Sequence, residues 1–151
     1  MTKPPLAPGS YGAGDVAVGD WIDCGTLTVT SERILQFAEL TGDRFEIHMS
    51  DAAAQRHGFD RQVAHGLLVL SLVDGMKNQA PAQFKARASK GWEWAFKAPV
   101  LAGDTLSARL RIEDIQPARQ ADQATLVLVF DVTNQDGELV QHGTNRLLAY
   151  R

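Results

Sequence analysis

The chain has 151 residues, of which 44% are hydrophobic, and this length and composition fit one globular domain with a sizeable core. Fifteen basic and 18 acidic residues give a formal net charge of -3 without a long block of either sign, which disfavours nucleic-acid binding. No apolar run approaches the roughly 20 residues that span a bilayer, and the N-terminus lacks a signal-peptide pattern.

Cysteine usage points to the cellular compartment. Cys24 is the only cysteine, which excludes an internal disulfide bond and a cysteine-based zinc cluster. A single cysteine agrees with a reducing environment, and we expect it to be a small buried hydrophobic residue. We therefore expect a cytoplasmic protein with no membrane partner.

The first 14 residues differ in composition from the rest. They contain three prolines and three glycines, namely Pro4, Pro5, Pro8, Gly9, Gly12 and Gly14. Such a segment is predicted to be flexible or to lie against a partner. Residues 15–151 are predicted to form a single domain.

The first half of the domain alternates short strand and helix signals. Residues 27–30 alternate as a short strand does, and Ser31 is predicted to cap a helix that ends before Gly42. Residues 50–55 predict a second, short helix. Residues 63–76 are apolar around almost the whole helical cylinder, so this third helix is predicted to be surrounded by protein.

From Gly91 onward the apolar pattern has the period of two that is typical of strands. Residues 92–96, 106–115, 125–133 and 140–150 are the predicted strands, and the Asp136-Gly137 pair indicates a hairpin turn. The order predicts an α+β fold in which a twisted antiparallel sheet wraps around the long helix. An uncovered sheet edge would need burial, so we expect a symmetric dimer.

Asp43 and His48 are the candidate catalytic residues. They lie five residues apart, just past a predicted helix end, where irregular backbone can expose both side chains. Free Asp and His titrate at about pH 3.9 and about pH 6.5, so the pair offers a proton acceptor and a group that donates or accepts. Gly66, at the start of the long helix, either leaves backbone N–H groups free for an oxyanion or only permits close packing.

Several blocks of the chain resemble the MaoC-like dehydratase family, which includes the (R)-specific enoyl-CoA hydratases and has the hot-dog fold. The blocks are residues 37–43, His48, residues 64–68, residues 94–100 and residues 103–106. They occur in the family's order and span nearly the whole chain.

The resemblance implies a homodimeric hydro-lyase of fatty acid metabolism that acts on an acyl-CoA or another acyl thioester as an enoyl-CoA hydratase or 3-hydroxyacyl-CoA dehydratase. Asp43 and His48 match the catalytic pair. In hydration, Asp43 would take a proton from water and His48 would deliver one to the α-carbon on the same face. Gly66 matches the glycine whose N–H steadies the oxyanion, and His65 would help to fix that turn. No metal or cofactor is implied, because coenzyme A belongs to the substrate.

The chain departs from the family pattern between the two candidate catalytic residues. Phe45 and Glu46 stand where the family usually has an asparagine and a proline. Phe45 would narrow the pocket, favour another acyl group, or mark a member that has lost hydratase activity. Asp74 aligns with a serine of some members and receives no site assignment. A hot-dog acyl-CoA thioesterase and a non-catalytic acyl-CoA-binding subunit therefore stay open as alternatives.

Overall fold

The structure is a computed structural model that describes residues 3–151. Its helices are α1 (Ser31–Thr41), α2 (Asp51–Arg56) and α3 (Gly66–Gln79), and 3₁₀ turns lie at Ala13–Asp15 and Glu46–His48. Its strands are β1 (Gly9–Tyr11), β2 (Trp21–Thr28), β3 (Ala82–Phe84), β4 (Ala86–Phe96), β5 (Thr105–Pro117), β6 (Gln123–Thr133) and β7 (Leu139–Tyr150). None of the described helices is long and apolar enough to cross a membrane.

Five strands form one antiparallel sheet in the order β2-β5-β6-β7-β4. Alternate residues of these strands point towards α3, and they share one hydrophobic core with the buried side of that helix. The largest fully buried members include Leu110, Ile112, Leu126, Leu128 and Phe130. The predicted α+β class, with an antiparallel sheet packed on a long central helix, is confirmed.

The central helix differs from the prediction in its bounds and its burial. It begins three residues later than predicted, because Val63 forms a β-bridge with Leu101 instead of a helical turn. The prediction that protein surrounds it is wrong for the chain alone, since Leu67, Ser71 and Asn78 are exposed along one face. The sheet covers only the opposite face of α3. Apolar residues lie on both faces of the helix, so the sequence did not indicate which face would be covered.

The α1 helix has clear ends, and the second of them sets the direction of the following loop. Thr30, not Ser31 as predicted, is the N-cap, and its hydroxyl accepts a hydrogen bond from the Arg33 N–H. Gly42 ends the helix as predicted, with a left-handed φ of 79° that only glycine adopts without strain. The chain therefore turns sharply before Asp43.

The N-terminal segment lies against the domain itself, from Lys3 onward. The backbone N–H of Leu6 donates to the Trp21 carbonyl over 2.8 Å, and the indole N–H of Trp21 donates to the Lys3 carbonyl over 2.7 Å. Strand β1 pairs in parallel with β3. Residues 1 and 2 lie outside the described part of the chain, and the flexibility of the segment in solution stays a prediction.

Strand β4 directs two tryptophans towards the hydrophobic core. The rings of Trp92 and Trp94 lie 5.4 and 5.8 Å from the ring of Phe130. Gly143 on β7 is the direct neighbour of Trp94. A Cβ atom on Gly143 would lie 2.2 Å from the Glu93 carbonyl oxygen and 2.6 Å from the Trp94 ring. The Trp94 ring can therefore pack here only because this neighbour is glycine.

We expect Gly143→Ala to lower the free energy of unfolding by about 1–3 kcal/mol, because the added methyl group meets backbone that cannot move aside. Gly14→Ala is the matched control, since its added methyl group would have no atom within 4 Å. Chemical unfolding of both variants measures the difference. An unchanged stability for Gly143→Ala would contradict the described contact between β4 and β7.

Candidate active site

Asp43 lies on the loop that follows α1, and the local backbone holds its side chain. Its N–H donates to the Thr41 hydroxyl over 3.1 Å, and its carboxylate oxygen Oδ1 accepts from the Phe45 N–H over 3.2 Å. The side chain is exposed. These bonds are local in the sequence, so a turn after the αL glycine is enough to present the carboxylate to a ligand.

His48 is held by Val63, in the segment that leads into α3. Its Nδ1 lies 2.7 Å from the Val63 carbonyl oxygen, and the Val63 N–H donates to the Ile47 carbonyl over 2.9 Å. A carbonyl only accepts, so Nδ1 carries the hydrogen and Nε2 is the atom left for proton transfer. Gln62 adds a third contact, because its amide Nε2 donates to the His48 carbonyl over 2.6 Å.

The surroundings of His48 favour its neutral form. The side chain is only 8% exposed, and this burial lowers the pKa of His48 below its ordinary value. The hydrogen bond to Val63 opposes the lowering, the nearby His65 adds to it, and Asp43 opposes it. Near neutral pH the imidazole therefore has a free lone pair at Nε2, which is the state of a general base.

His65 connects the Asp43 loop to the start of α3. Its ring stacks on the His48 ring with centroids 3.8 Å apart, and its Nε2 donates to the Asp43 backbone carbonyl over 2.9 Å. Donor atoms of Asp43, His48 and His65 all lie within 4.8 Å of one another, so these three residues could also hold a metal ion. His65 thus lies where it can fix the turn before α3, and this role stays a prediction.

Gly66 is the first residue of α3, and both functions considered for it are compatible with its position. A Cβ atom there would lie 2.3 Å from the Phe96 ring, so any other residue would have to displace this ring. The preceding residue, His65, provides no side-chain cap for the helix. The N–H groups of the first turn are therefore not capped by it, and they carry the positive end of the helix dipole.

A cavity of about 370 Å³ joins His48 to Gly66. Its wall is mainly apolar, and the lining residues that concern the site are Ile47, Phe59, Val63, Phe96, Val100 and Gln141. An apolar cavity with a few polar groups at one end fits an acyl chain whose polar head lies at those groups.

A second cavity, of about 520 Å³, lies near the other end of α3 around Cys24 and Pro81. None of the residues predicted for the site lines it. Cys24 is buried as predicted, and this burial raises the pKa of its thiol to about 12. The thiol is therefore protonated at neutral pH and a poor nucleophile, and no histidine among the described residues lines this cavity.

The two residues that depart from the family pattern contact α2. The Phe45 ring is 55% exposed and meets the rings of His48 and His57 edge-on, with centroids 5.9 Å away in both cases. The Glu46 carboxylate pairs with His57 Nε2 over 2.5 Å and with Arg56 over 3.3 Å. The bond from His57, and then that from Arg56, lowers the pKa of Glu46. An ionic contact thus holds the loop to α2 where the family has a rigid proline.

The structure brings all the residues predicted for the site to one place, namely Asp43, Phe45, His48, His65 and Gly66. The sequence did not indicate three of their supports, namely His57, Gln62 and Gln141. These residues bind across 11 to 75 positions of sequence. No periodic or motif signal in the sequence marks such pairs.

Comparison with curated proteins finds relatives of similar length. The chain is 32% identical over 112 residues to a 3-hydroxybutyryl-CoA dehydratase of Methylorubrum extorquens, covering 73% of this chain and 70% of that protein. It is 30% identical over 112 residues to an (R)-specific enoyl-CoA hydratase of Aeromonas caviae, covering 73% and 78%.

Solved structures agree in fold. A MaoC-like dehydratase from Rhodospirillum rubrum superposes with a TM-score of 0.84 at 25% identity, covering 93% of this chain and 97% of that one. A Mycobacterium tuberculosis protein described as a double hot-dog fold superposes with a TM-score of 0.83 at 18% identity, covering 96% and 46%. The predicted hot-dog fold is confirmed.

The family model for the MaoC-like domain matches residues 17–133, which contain the Asp43 loop, the start of α3 and most of the sheet. This chain therefore belongs to the MaoC-like dehydratase family.

Proposed function

We propose that the protein is a hydro-lyase that reversibly adds water to a trans-2-enoyl thioester and forms a 3-hydroxyacyl thioester. The observation that carries the proposal is the closeness of Asp43 to His48, whose ligand atoms lie within 4.8 Å of each other, together with the cavity that His48 and Gly66 both line. The names of the two curated relatives, a dehydratase and an enoyl-CoA hydratase, support the same reaction.

The start of α3 binds the thioester carbonyl in this proposal. As the reaction proceeds, negative charge develops on the carbonyl oxygen, and uncapped N–H groups at a helix N-terminus stabilise such charge. The acyl chain then extends along the apolar wall formed by residues such as Ile47 and Val100. The α-carbon lies next to His48 Nε2 in this arrangement.

In the elimination direction, the neutral His48 takes the proton from the α-carbon while the C–O bond to the β-hydroxyl breaks. Asp43, on the same face, gives a proton to the leaving hydroxyl, which departs as water. The pair carries one proton throughout, on Asp43 before elimination and on His48 afterwards. Hydration follows the same steps in reverse, so Asp43 takes a proton from water and His48 delivers one to the α-carbon.

The proposed reaction uses no metal and no resident cofactor, because Asp43 and His48 supply the proton transfers and coenzyme A is part of the substrate. A homodimer is proposed as the functional unit. The outer edge of β4 has no neighbouring strand in the described chain, and the face of α3 that carries Leu67 is exposed. A second copy that pairs edge to edge would cover both surfaces.

We expect Asp43→Asn and His48→Gln each to lower kcat for hydration by about 10²–10⁴-fold, the usual contribution of a general acid or base. The measurement is the loss of conjugated thioester absorbance for short and medium trans-2-enoyl-CoA substrates. His142→Gln, a change on β7 at a histidine paired with Asp131, is the control and should keep the wild-type rate.

Other results of this assay contradict the hydratase proposal. Release of free thiol without loss of the double bond would identify a thioesterase. Tight binding without turnover would identify an acyl-CoA-binding subunit. Full activity in both Asp43→Asn and His48→Gln would remove these residues from the mechanism.

We expect the His48 imidazole to titrate below its ordinary pKa of 6.5, because burial penalises its charged form. His48 then stays mostly neutral at pH 6.5. Protonation removes the base proposed for the elimination direction only at lower pH. NMR titration of the ring protons measures the midpoint, with the resonance assigned by its absence in His48→Gln. A midpoint at or above 6.5 would contradict the neutral resting state.

We expect Phe45→Asn to shift the substrate preference towards longer or bulkier acyl groups, because it removes the ring that contacts His48 and His57 at the edge of the site. The ratio of kcat/KM for a medium-chain to a short-chain enoyl-CoA should change by about 10-fold. Val18→Asn is the control, because Val18 is 57% exposed and Phe45 is 55% exposed. Equal ratios in all three proteins would mean that Phe45 has no part in selectivity.

A further inference from the structure

Gln141 is a buried amide in the wall of the catalytic cavity. It lies on β7, is 1% exposed and lines the same cavity as His48 and Gly66. Burial of an amide is costly unless both of its ends are hydrogen-bonded. The proton transfers proposed above do not involve this residue, so its burial among apolar side chains requires another explanation.

Both ends of the Gln141 amide are bonded, and the partners fix its orientation. The Trp94 indole N–H donates to Oε1 over 2.7 Å, and Nε2 donates to the Gly66 carbonyl over 3.1 Å. An indole N–H only donates and a carbonyl only accepts, so the amide has one orientation that satisfies both. The three residues therefore form a directed chain of hydrogen bonds from β4 to the start of α3.

The bond to the Gly66 carbonyl acts on the proposed oxyanion site through the peptide plane. A trans peptide places the carbonyl of one residue and the N–H of the next on opposite sides of a rigid plane. Fixing the Gly66 carbonyl thus fixes the direction of the Leu67 N–H, one of the donors at the helix N-terminus that lack an intrahelical partner. The Phe96 ring, which packs where a Gly66 side chain would be, limits rotation from the other side.

The other end of the chain of hydrogen bonds is anchored in the rigid core. Trp94 packs on Gly143 and lies 5.8 Å, centroid to centroid, from the fully buried Phe130. Small displacements of catalytic donors reduce rates strongly, so an anchor of this kind has a direct use at an oxyanion site.

We propose that Gln141 and Trp94 are positioning residues, which hold the first turn of α3 so that its N–H groups face the thioester oxygen. This inference rests on the proposed function, since it deepens the role of the start of α3 in that reaction. Neither residue touches the reacting atoms, and both act through Gly66.

The test compares Trp94→Phe with Trp92→Phe. Both variants keep an aromatic ring in the same cluster, but only Trp94 donates to Gln141; the Trp92 indole has no hydrogen bond among the described residues. Trp94→Phe should lower kcat for hydration by about 10-fold with KM changed less than about 2-fold, the pattern of a lost transition-state interaction. Trp92→Phe should leave both parameters near their wild-type values, and Gln141→Met should behave like Trp94→Phe.

Two spectroscopic measurements separate positioning from mere packing. In a His48→Gln background, which should bind without turnover, a ¹³C-carbonyl enoyl-CoA reports polarisation of its carbonyl by infrared difference spectroscopy. Adding Trp94→Phe should move the band to higher wavenumber, and adding Trp92→Phe should not. Without any substrate, Trp94→Phe but not Trp92→Phe should speed hydrogen exchange of the Val69 N–H, which donates to the His65 carbonyl across the first turn of α3.

Equal effects of Trp94→Phe and Trp92→Phe on kcat, the carbonyl band and Val69 exchange would overturn the positioning role. A lower kcat with an unchanged band and unchanged exchange would also overturn it. If the wild-type protein hydrates no enoyl thioester, the hydratase proposal fails, while Val69 exchange still decides whether the hydrogen bonds from Trp94 through Gln141 to Gly66 order the start of α3.

Discussion

The hydrogen bond between His48 Nδ1 and the Val63 carbonyl is the contact on which the site depends. It selects the tautomer of the histidine and joins the loop after α1 to the segment that leads into α3. Two residues further on, His65 stacks against the same ring and bonds to the Asp43 backbone. Two candidate catalytic residues from one loop, Asp43 and His48, thus lie against the start of the central helix.

The two candidate catalytic residues, His48 and Asp43, differ in burial. His48 is withdrawn from water, which favours the neutral imidazole, while Asp43 stays at the surface within reach of it. At the start of α3, the Phe96 ring occupies the space in which a side chain at position 66 would lie. Glycine leaves this space to the ring. The site therefore depends on dense packing around one histidine and one glycine, with an open side for the substrate.

Phe45 and Glu46, which depart from the family pattern, change how the loop is held. Asp43 and His48 themselves are retained. Glu46, in place of proline, pairs with His57 and Arg56, and the Phe45 ring contacts the His48 ring. An exposed ion pair is a weaker restraint than a proline ring, because water screens the attraction between its charges. The position of His48 consequently depends more on its own buried contacts than on the side chains of Phe45 and Glu46.

The sequence by itself determined most of the elements and the local chemistry: the αL glycine that ends α1, the loop with Asp43 and His48, the apolar helix and the long strands with their period of two. It did not predict the short strands β1 and β3. These features come from interactions between near neighbours, which a pattern records. Only the tertiary structure decided which face of α3 is covered, that Glu46 meets His57, and that Trp94 reaches Gly66 through Gln141. Those contacts join residues from separate elements, and their partners are set by the packing of the sheet on the helix rather than by any spacing along the chain.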